Sequence, residues 1–320
     1  MFLTSSLVRA ATVLCLMAGS ADAAIVDATS LLRDFNTIAL GNLNASSETE
    51  GTVFVGGNLV SNGYGVNPRN LASGVVGSVS GSLIVGGNVS GNPINVGAGN
   101  VVIGGTNSAI INRNGGGSLT TGASVDVSGV AAAMTGLSTY LASFGTTAGA
   151  AANTADQNLK SLVSGAGGTG VLTNIAVLNL NALQTLALLG SGNLATLNLT
   201  AGVTTIVNLT GTNLSISGNF NPDNSTVLFN FYEATNLTIG ATFGFGILAP
   251  KADIVASSGG NDGVVVGRNI TQNIEFRPLN NQNFTGNLPV QVSAIPLPAP
   301  ALMLIAGLLS LFALRRRKTA

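Results

Sequence analysis

Apolar residues recur in short triplets that end in a glycine pair. Residues 51–68 read GTVFVGGNLVSNGYGVNP, residues 81–92 read GSLIVGGNVSGN and residues 101–106 read VVIGGT. Each contains the unit apolar-x-apolar-Gly-Gly-polar, with Val53 and Val55, Leu83 and Val85, and Val101 and Ile103 at the alternating positions. Successive units lie 30 and 18 residues apart, so the repeat is irregular. A period of two predicts strands that bury one face. The pairs at 56–57, 86–87 and 104–105 are expected to supply the positive φ of tight corners.

The second half carries the same alternation in other residues. Leu178, Leu180 and Leu183 are interleaved with Asn179 and Asn181, and Leu197 and Leu199 with Asn198 and Thr200. Ile206 and Leu209 bracket Asn208; Leu214 and Ile216 alternate with Ser215 and Ser217; Val227, Phe229, Phe231, Leu237 and Ile239 follow. The run 171–190 is apolar enough to suggest a membrane span, but its amides and hydroxyls would be costly in lipid, so strands are expected there. Many short strands with small residues at the corners predict a mainly β chain, a β-solenoid whose turns stack to bury a common core. A β-sandwich is the alternative. Residues 129–164 break the pattern. Ala133, Leu137, Tyr140, Leu141 and Phe144 follow helical spacing, and Asp156, Leu159, Leu162 and Val163 suggest a second helical piece. A helix laid along the solenoid would cover apolar surface and protect an end.

The two ends differ from the body. Residues 1–23 read as a signal peptide: Arg9, an apolar run from Ala10 to Gly19, and a small-x-small site at Ala21-Asp22-Ala23, with cleavage before Ala24. Leu14 stands before Cys15 where a lipoprotein signal needs a small residue. Residues 24–289 form the β body and 290–294 a linker. Residues 295–320 begin Ile295-Pro296-Leu297-Pro298-Ala299 and continue as an apolar stretch over 296–314, about 19 residues and just long enough to span a bilayer. Arg315, Arg316, Arg317 and Lys318 follow at once; by the positive-inside rule they stay in the cytoplasm and the body lies across the inner membrane.

Composition narrows the chemistry. The 320 residues include 43 Gly and no His or Trp, charged residues make up 8%, and mean hydropathy is +0.49. No His means neither the commonest general base nor the commonest metal ligand. Cys15 is the single cysteine and lies in the signal segment, so the mature chain has no thiol, disulfide or thiolate metal site. Net charge is zero, yet the positive charge sits at the ends and the body is about −4, which argues against nucleic-acid binding.

Two resemblances carry more. Pro-x-Pro, a short apolar helix and a terminal Arg cluster resemble the PEP-CTERM class of sorting signals, and Ile295–Ala299 resembles its VPLPA variant with Ile for Val. The resemblance implies recognition by an exosortase, a membrane cysteine transpeptidase-like enzyme, and cleavage near the Pro motif, besides removal of the leader by signal peptidase. The body resembles the choice-of-anchor A family. The residues are Asp34-Phe35-Asn36, Leu40-Gly41-Asn42 and Glu50 to Asn58, then Val227 to Phe231 with Gly246 to Ala252, then Gly263 to Gly267, ending near Phe284 to Pro289. That resemblance implies an ice-binding-like adhesive domain built as a β-solenoid with an accompanying helix. It brings no catalytic residues.

Function is bounded accordingly. No catalytic, cofactor or metal residues are expected. Glu48 and Glu50 are the only neighbouring carboxylates and are expected to form a solvated strand edge. Lys251 with Asp253, and Asp262 with Arg268, are expected as surface pairs. Gly-Gly-Asn is no phosphate loop, since no Lys-Ser/Thr follows. Asn-x-Ser/Thr at Asn198, Asn208, Asn236 and Asn283 is expected to be strand-surface chemistry. Thr196, Thr200, Thr204, Thr205 and Thr210 make no regular Thr-x-Thr array of the kind an ice-binding face needs. The expectation is an exported cell-surface or matrix adhesin, not an enzyme, holding an extracellular polysaccharide or protein surface through a broad polar face. A carbohydrate-active β-helix enzyme and an ice-binding protein are the alternatives.

Overall fold

The computed structural model describes residues 26–220 and 223–289. The signal-peptide residues Ala21, Ala23 and Ala24, the linker 290–294, the sorting motif Ile295–Ala299, the span 296–314 and the cluster Arg315–Lys318 lie outside the described residues. Among the described residues no helix is long and apolar enough to cross a membrane.

The architecture is mainly β, with parallel strands and few helices, compatible with a β-solenoid. Each pass of the chain lays short strands on three faces in turn. The first face stacks, in spatial order, Leu119–Thr121, Val101–Ile103, Leu83–Val85, Val53–Val55, Thr37–Ala39, Val265–Gln272, Gly246–Ala256, Val227–Asn230, Thr204–Leu209 and Ile175–Leu180. Every pair in that stack is parallel. A sandwich would pair its strands antiparallel. The second face stacks Val89–Gly91, Leu59–Ser61, Leu43–Ala45, the later halves of the two long strands, Asn236–Ile239 and Asn213–Ile216. The third runs from Ile111–Arg113 through Ile94–Val96, Tyr64–Val66, Glu48–Thr49 and Phe276–Arg277 to Asn261–Asp262. Bridges at Phe243 and Phe220 continue it to Asn193–Asn198 and Lys160–Val163.

Spatial order is not chain order. The first pass, 37–49, sits in the middle of the stack against the last pass, 265–277: Ile38 has Phe54 on one side and Val266 on the other. From this seam the N-terminal half grows outward to Leu119–Thr121. Helix α2 (Val127–Ala142) then carries the chain back along the first face, and the C-terminal half returns from the far end to the seam. Inside the seam, Thr49 Oγ1 lies 2.6 Å from Tyr64 Oη, and Gln272 Nε2 donates to Glu48 O at 2.9 Å and Ile274 O at 3.1 Å. Burial raises the Tyr64 pKa, so the phenol stays a neutral hydrogen-bonding group.

From Val101–Ile103 to Ile175–Leu180 the first face is largely buried on both sides. Val53, Val55, Leu83, Val85, Val101 and Ile103 point into the core, while the middle residues Ile38, Phe54, Ile84, Leu228, Leu248 and Val266 point outward under α1 (Ala28–Asp34) and α2. Apolar residues at all three positions are what a two-sided parallel strand requires. This corrects the expectation of one buried face. The expected helix at 129–164 is realised as α2, capped by Asp126 accepting from Gly129 N at 2.8 Å. The second helical piece is not: Asp156 makes a side-chain turn onto Asn158 N, and Lys160–Val163 is a strand with alternating burial. Within 171–190 only Ile175–Leu180 is a strand. α3 (Ala182–Leu189) follows, opened by a reciprocal capping box in which Asn181 and Gln184 accept each other's backbone N–H at 3.0 Å.

The glycine pairs do a different job from the one expected. None of Gly56, Gly57, Gly86, Gly87, Gly104 and Gly105 has positive φ. They let corners stack: a Cβ on Gly86 would stand 2.5 Å from Gly56 O, and one on Gly104 2.3 Å from Gly86 O. We expect Gly86→Ala to destabilise the chain by about 2 kcal/mol, since the obstructing atoms include backbone. Gly145→Ala meets open space and is expected to stay within about 0.5 kcal/mol. Urea midpoints measured side by side would refute the stacking argument if the two agreed.

Candidate binding face

The second face has one side in the core and one in solvent. Its outward column reads Ser215, Thr238, Val255, Thr271, Asn44, Val60, Ser90 in spatial order. Inward neighbours such as Leu214, Leu237, Ile254, Ile270, Leu43 and Leu59 are buried and fix which side faces out. The column has no charge and no aromatic ring, and parallel rungs repeat roughly every 4.8 Å, so it is a flat strip.

A ladder of amides edges the strip, at the corner with the first face. In order it reads Asn213, Asn236, Asp253, Asn269, Asn42, Asn58, Asn88, Thr106. Asn236 Nδ2 donates to Asn213 Oδ1 at 2.7 Å and Asn269 Nδ2 to Asp253 Oδ1 at 2.8 Å. Asn269, Asn42, Asn58 and Asn88 then each accept the backbone N–H of the next rung through Oδ1, at 2.8 to 2.9 Å. The ladder crosses the seam between Asn269 and Asn42. Its cost in side-chain entropy is already met in the free protein, which suits a surface that must bind without reorganising. Arg268 braces it with two bonds to Asp253, at 2.9 and 2.6 Å, and these hold the Asp253 carboxyl below its ordinary pKa.

The expected pairs are therefore exchanged: Arg268 meets Asp253, and Arg277 meets Asp262 at 2.7 Å. Register decides this, because Asp253 lies beside Asn269 on the neighbouring strand. The four glycosylation-like asparagines divide. Asn198 and Asn236 are exposed, whereas Asn208 and Asn283 are buried. Asn208 belongs to an internal amide row: its Nδ2 donates to Asn179 Oδ1 at 2.7 Å and to Leu141 O at 2.9 Å, and Asn230 Nδ2 donates to Asn208 Oδ1 at 2.8 Å. This row ties the last turn of α2 to the first face.

On the third face the structure brings together two carboxylates that no sequence spacing joins. Glu48 pairs in register with Gly65, and Glu275 precedes Phe276, which pairs with Thr49. Both line an open groove together with Tyr64, Gly65 and Gly97. Burial, then Glu50, then Glu275 raise the Glu48 pKa. Glu50, expected as its partner, turns instead to Arg69. Because the folded state holds the Glu48 proton more tightly than the unfolded chain, stability rises as pH falls from the raised pKa towards the ordinary one, near 4.3. Glu48→Gln is expected to be more stable than the parent at pH 7, with the gap closing on acidification; a constant gap in urea midpoints between pH 7 and pH 4 would contradict this. Among the described residues no group of His, Cys, Asp or Glu is arranged to hold a metal ion.

A family model described as "Putative Ice-binding-like adhesive domain" matches residues 28–278. No curated protein and no solved structure matches the chain.

Proposed function

We propose, from the premise that this chain belongs to the ice-binding-like adhesive domain family, that it is an exported surface or matrix adhesin whose second face is the contact surface. The observation carrying this reading is the uncharged outward strip from Ser215 to Ser90 beside its prebuilt amide ladder. Such a strip offers many weak polar contacts in a fixed plane, and copies on one cell would act together by avidity. A neutral polysaccharide or protein surface fits it better than a nucleic acid, since no basic stripe accompanies it.

The test is retention of the full chain on matrix polysaccharide prepared from the producing cells. Thr238→Arg combined with Val60→Arg should lower retention at least ten-fold, and Ser80→Arg, on the exposed hairpin away from this face, should not. Equal retention by all three proteins would end the proposal. Thermal hysteresis in the parent protein, lost in the double variant, would direct the same face to ice.

Export and sorting belong to the same proposal. Signal peptidase acts after Ala23, and an exosortase-type enzyme acts at Pro296 and Pro298, with the inner membrane as the station between. Intact mass of native material is expected to lack residues 1–23 and the terminal tail. Pro296→Ala with Pro298→Ala should retain the tail; an unchanged mature mass would reject the processing step.

A second reading, a carbohydrate-active enzyme, has one supporting observation: Glu48 and Glu275 on adjacent rungs, both lining one open groove. New reducing ends from the matrix polysaccharide, abolished by Glu48→Gln, would favour it over adhesion.

A further inference from the structure

The two ends of the stack are finished differently. At the far end the free edge of Ile175–Leu180 is covered. Thr147 N donates to Val177 O at 2.8 Å, Thr146 Oγ1 accepts from Asn179 N at 3.0 Å, and Gly168 N donates to Ile175 O at 2.9 Å. At the near end, among the described residues, Leu119–Thr121 pairs only with Val101–Ile103, Ile111–Arg113 only with Ile94–Val96, and Asn107 forms a lone bridge to Val89. Ser118 O, Ile110 O and Thr106 O accept from Val101 N, Ile94 N and Val89 N. In a trans peptide the next N–H points the opposite way. The N–H groups of Leu119, Ile111 and Asn107 therefore face outward, one on each of the three faces.

The core is open at this end too. Leu119 is 37% exposed, while Val101, Leu83 and Val53 in the same column are 0% exposed. Ile111, stacked on the fully buried Ile94, is only partly buried. Arg113 is the only charge in residues 107–122. Unpaired strand edges over an open apolar core are a template for further pairing, and repeat stacks ordinarily cap them.

We propose that this end docks onto the same end of a second copy of the chain, giving a head-to-head dimer about a two-fold axis perpendicular to the stack. Three edges arranged in a triangle are matched by another such triangle, whereas a single extended peptide would satisfy one edge. The far end, covered on the first face and closed on the third by Ala151–Asn153 running antiparallel, does not present a matching triangle of edges, so the contact is isologous and closes at two copies. The two-fold reverses strand direction, so the new pairs are antiparallel. One charge per end leaves no like-charge cluster to oppose contact.

A two-fold of this kind must bisect one of the three faces, so one edge segment meets its own copy. The test uses the full chain in the producing cell, with Cys15→Ser to remove the single native thiol, and one cysteine added at a time: Ser108→Cys, Asn112→Cys or Thr120→Cys. On oxidation at least one should give a reducible dimer on a denaturing gel, and Leu183→Cys, exposed on α3, should give none. Leu119→Pro, which removes an outward N–H, should lower the dimer yield of the cross-linking variant at least ten-fold. The proposal is overturned if none of the three near-end variants cross-links, if Thr120→Cys cross-links with Leu183→Cys, or if Leu119→Pro leaves the yield unchanged.

Discussion

Lys160→Met is expected to cost about 3 kcal/mol and to lower the melting temperature by roughly 6–12 °C. Lys160 is almost fully buried, and its ammonium donates to Leu188 O at 3.1 Å, Gly190 O at 2.9 Å and Ser191 O at 2.8 Å. These carbonyls close the C-terminal end of α3, where a helix leaves acceptors without partners and concentrates negative potential. Burial pulls the Lys160 pKa down from its ordinary value. Methionine keeps most of the buried stem but removes the donor that the three carbonyl oxygens share, of which Leu188 O is the most deeply buried. Thermal and urea melts of the full chain would settle the matter. A loss under about 1 kcal/mol would show that water reaches those carbonyls and that lysine is there for its stem alone.

Phe229→Ala is expected to cost more, about 4 kcal/mol. Phe229 sits at the centre of the C-terminal half, with ring centroids of Phe243 at 5.0 Å, Phe245 at 5.2 Å, Phe220 at 5.9 Å and Phe231 at 6.5 Å. All five rings are fully buried. Because they come from successive passes, no single pass can collapse into the space left behind. Phe229→Leu keeps most of the volume and is expected to cost about 1.5 kcal/mol or less. Urea midpoints read both. If the alanine and leucine variants proved equally stable, the rings would not be packed against one another, and the C-terminal half would lack the core described.

The repeating triplets with glycine pairs made the strands of the N-terminal half readable, because each is a local pattern with its own corner. The helix at 127–142 was equally plain from its spacing. α3 had a local signal too, Asn181 with Gln184, but the alternation of leucine and asparagine just before it suggested a continuing strand. Leu183, taken as part of that alternation, is 80% exposed on the helix. The glycine pairs were located correctly and explained wrongly, since closeness between neighbouring passes cannot be seen within one pass. The amide ladder was half visible. Asn58 and Asn88 follow glycine pairs, whereas Asn213, Asn236, Asp253 and Asn269 recur at uneven intervals and join only through register. Glu48 and Glu275 are the extreme case. Nothing local relates them, and their meeting depends wholly on the last pass lying against the first.

That seam has a consequence for biogenesis. A polypeptide made from its N-terminus delivers residues 37–49 early, yet the strand that shields their open flank, Val265–Gln272, emerges only late in synthesis. Two partly assembled halves must wait for each other, each showing a raw margin to whatever else surrounds the growing chain. A nonsense mutation before residue 265 would thus wound the middle of the molecule, not its tip, and cellular proteases would be expected to clear such products quickly.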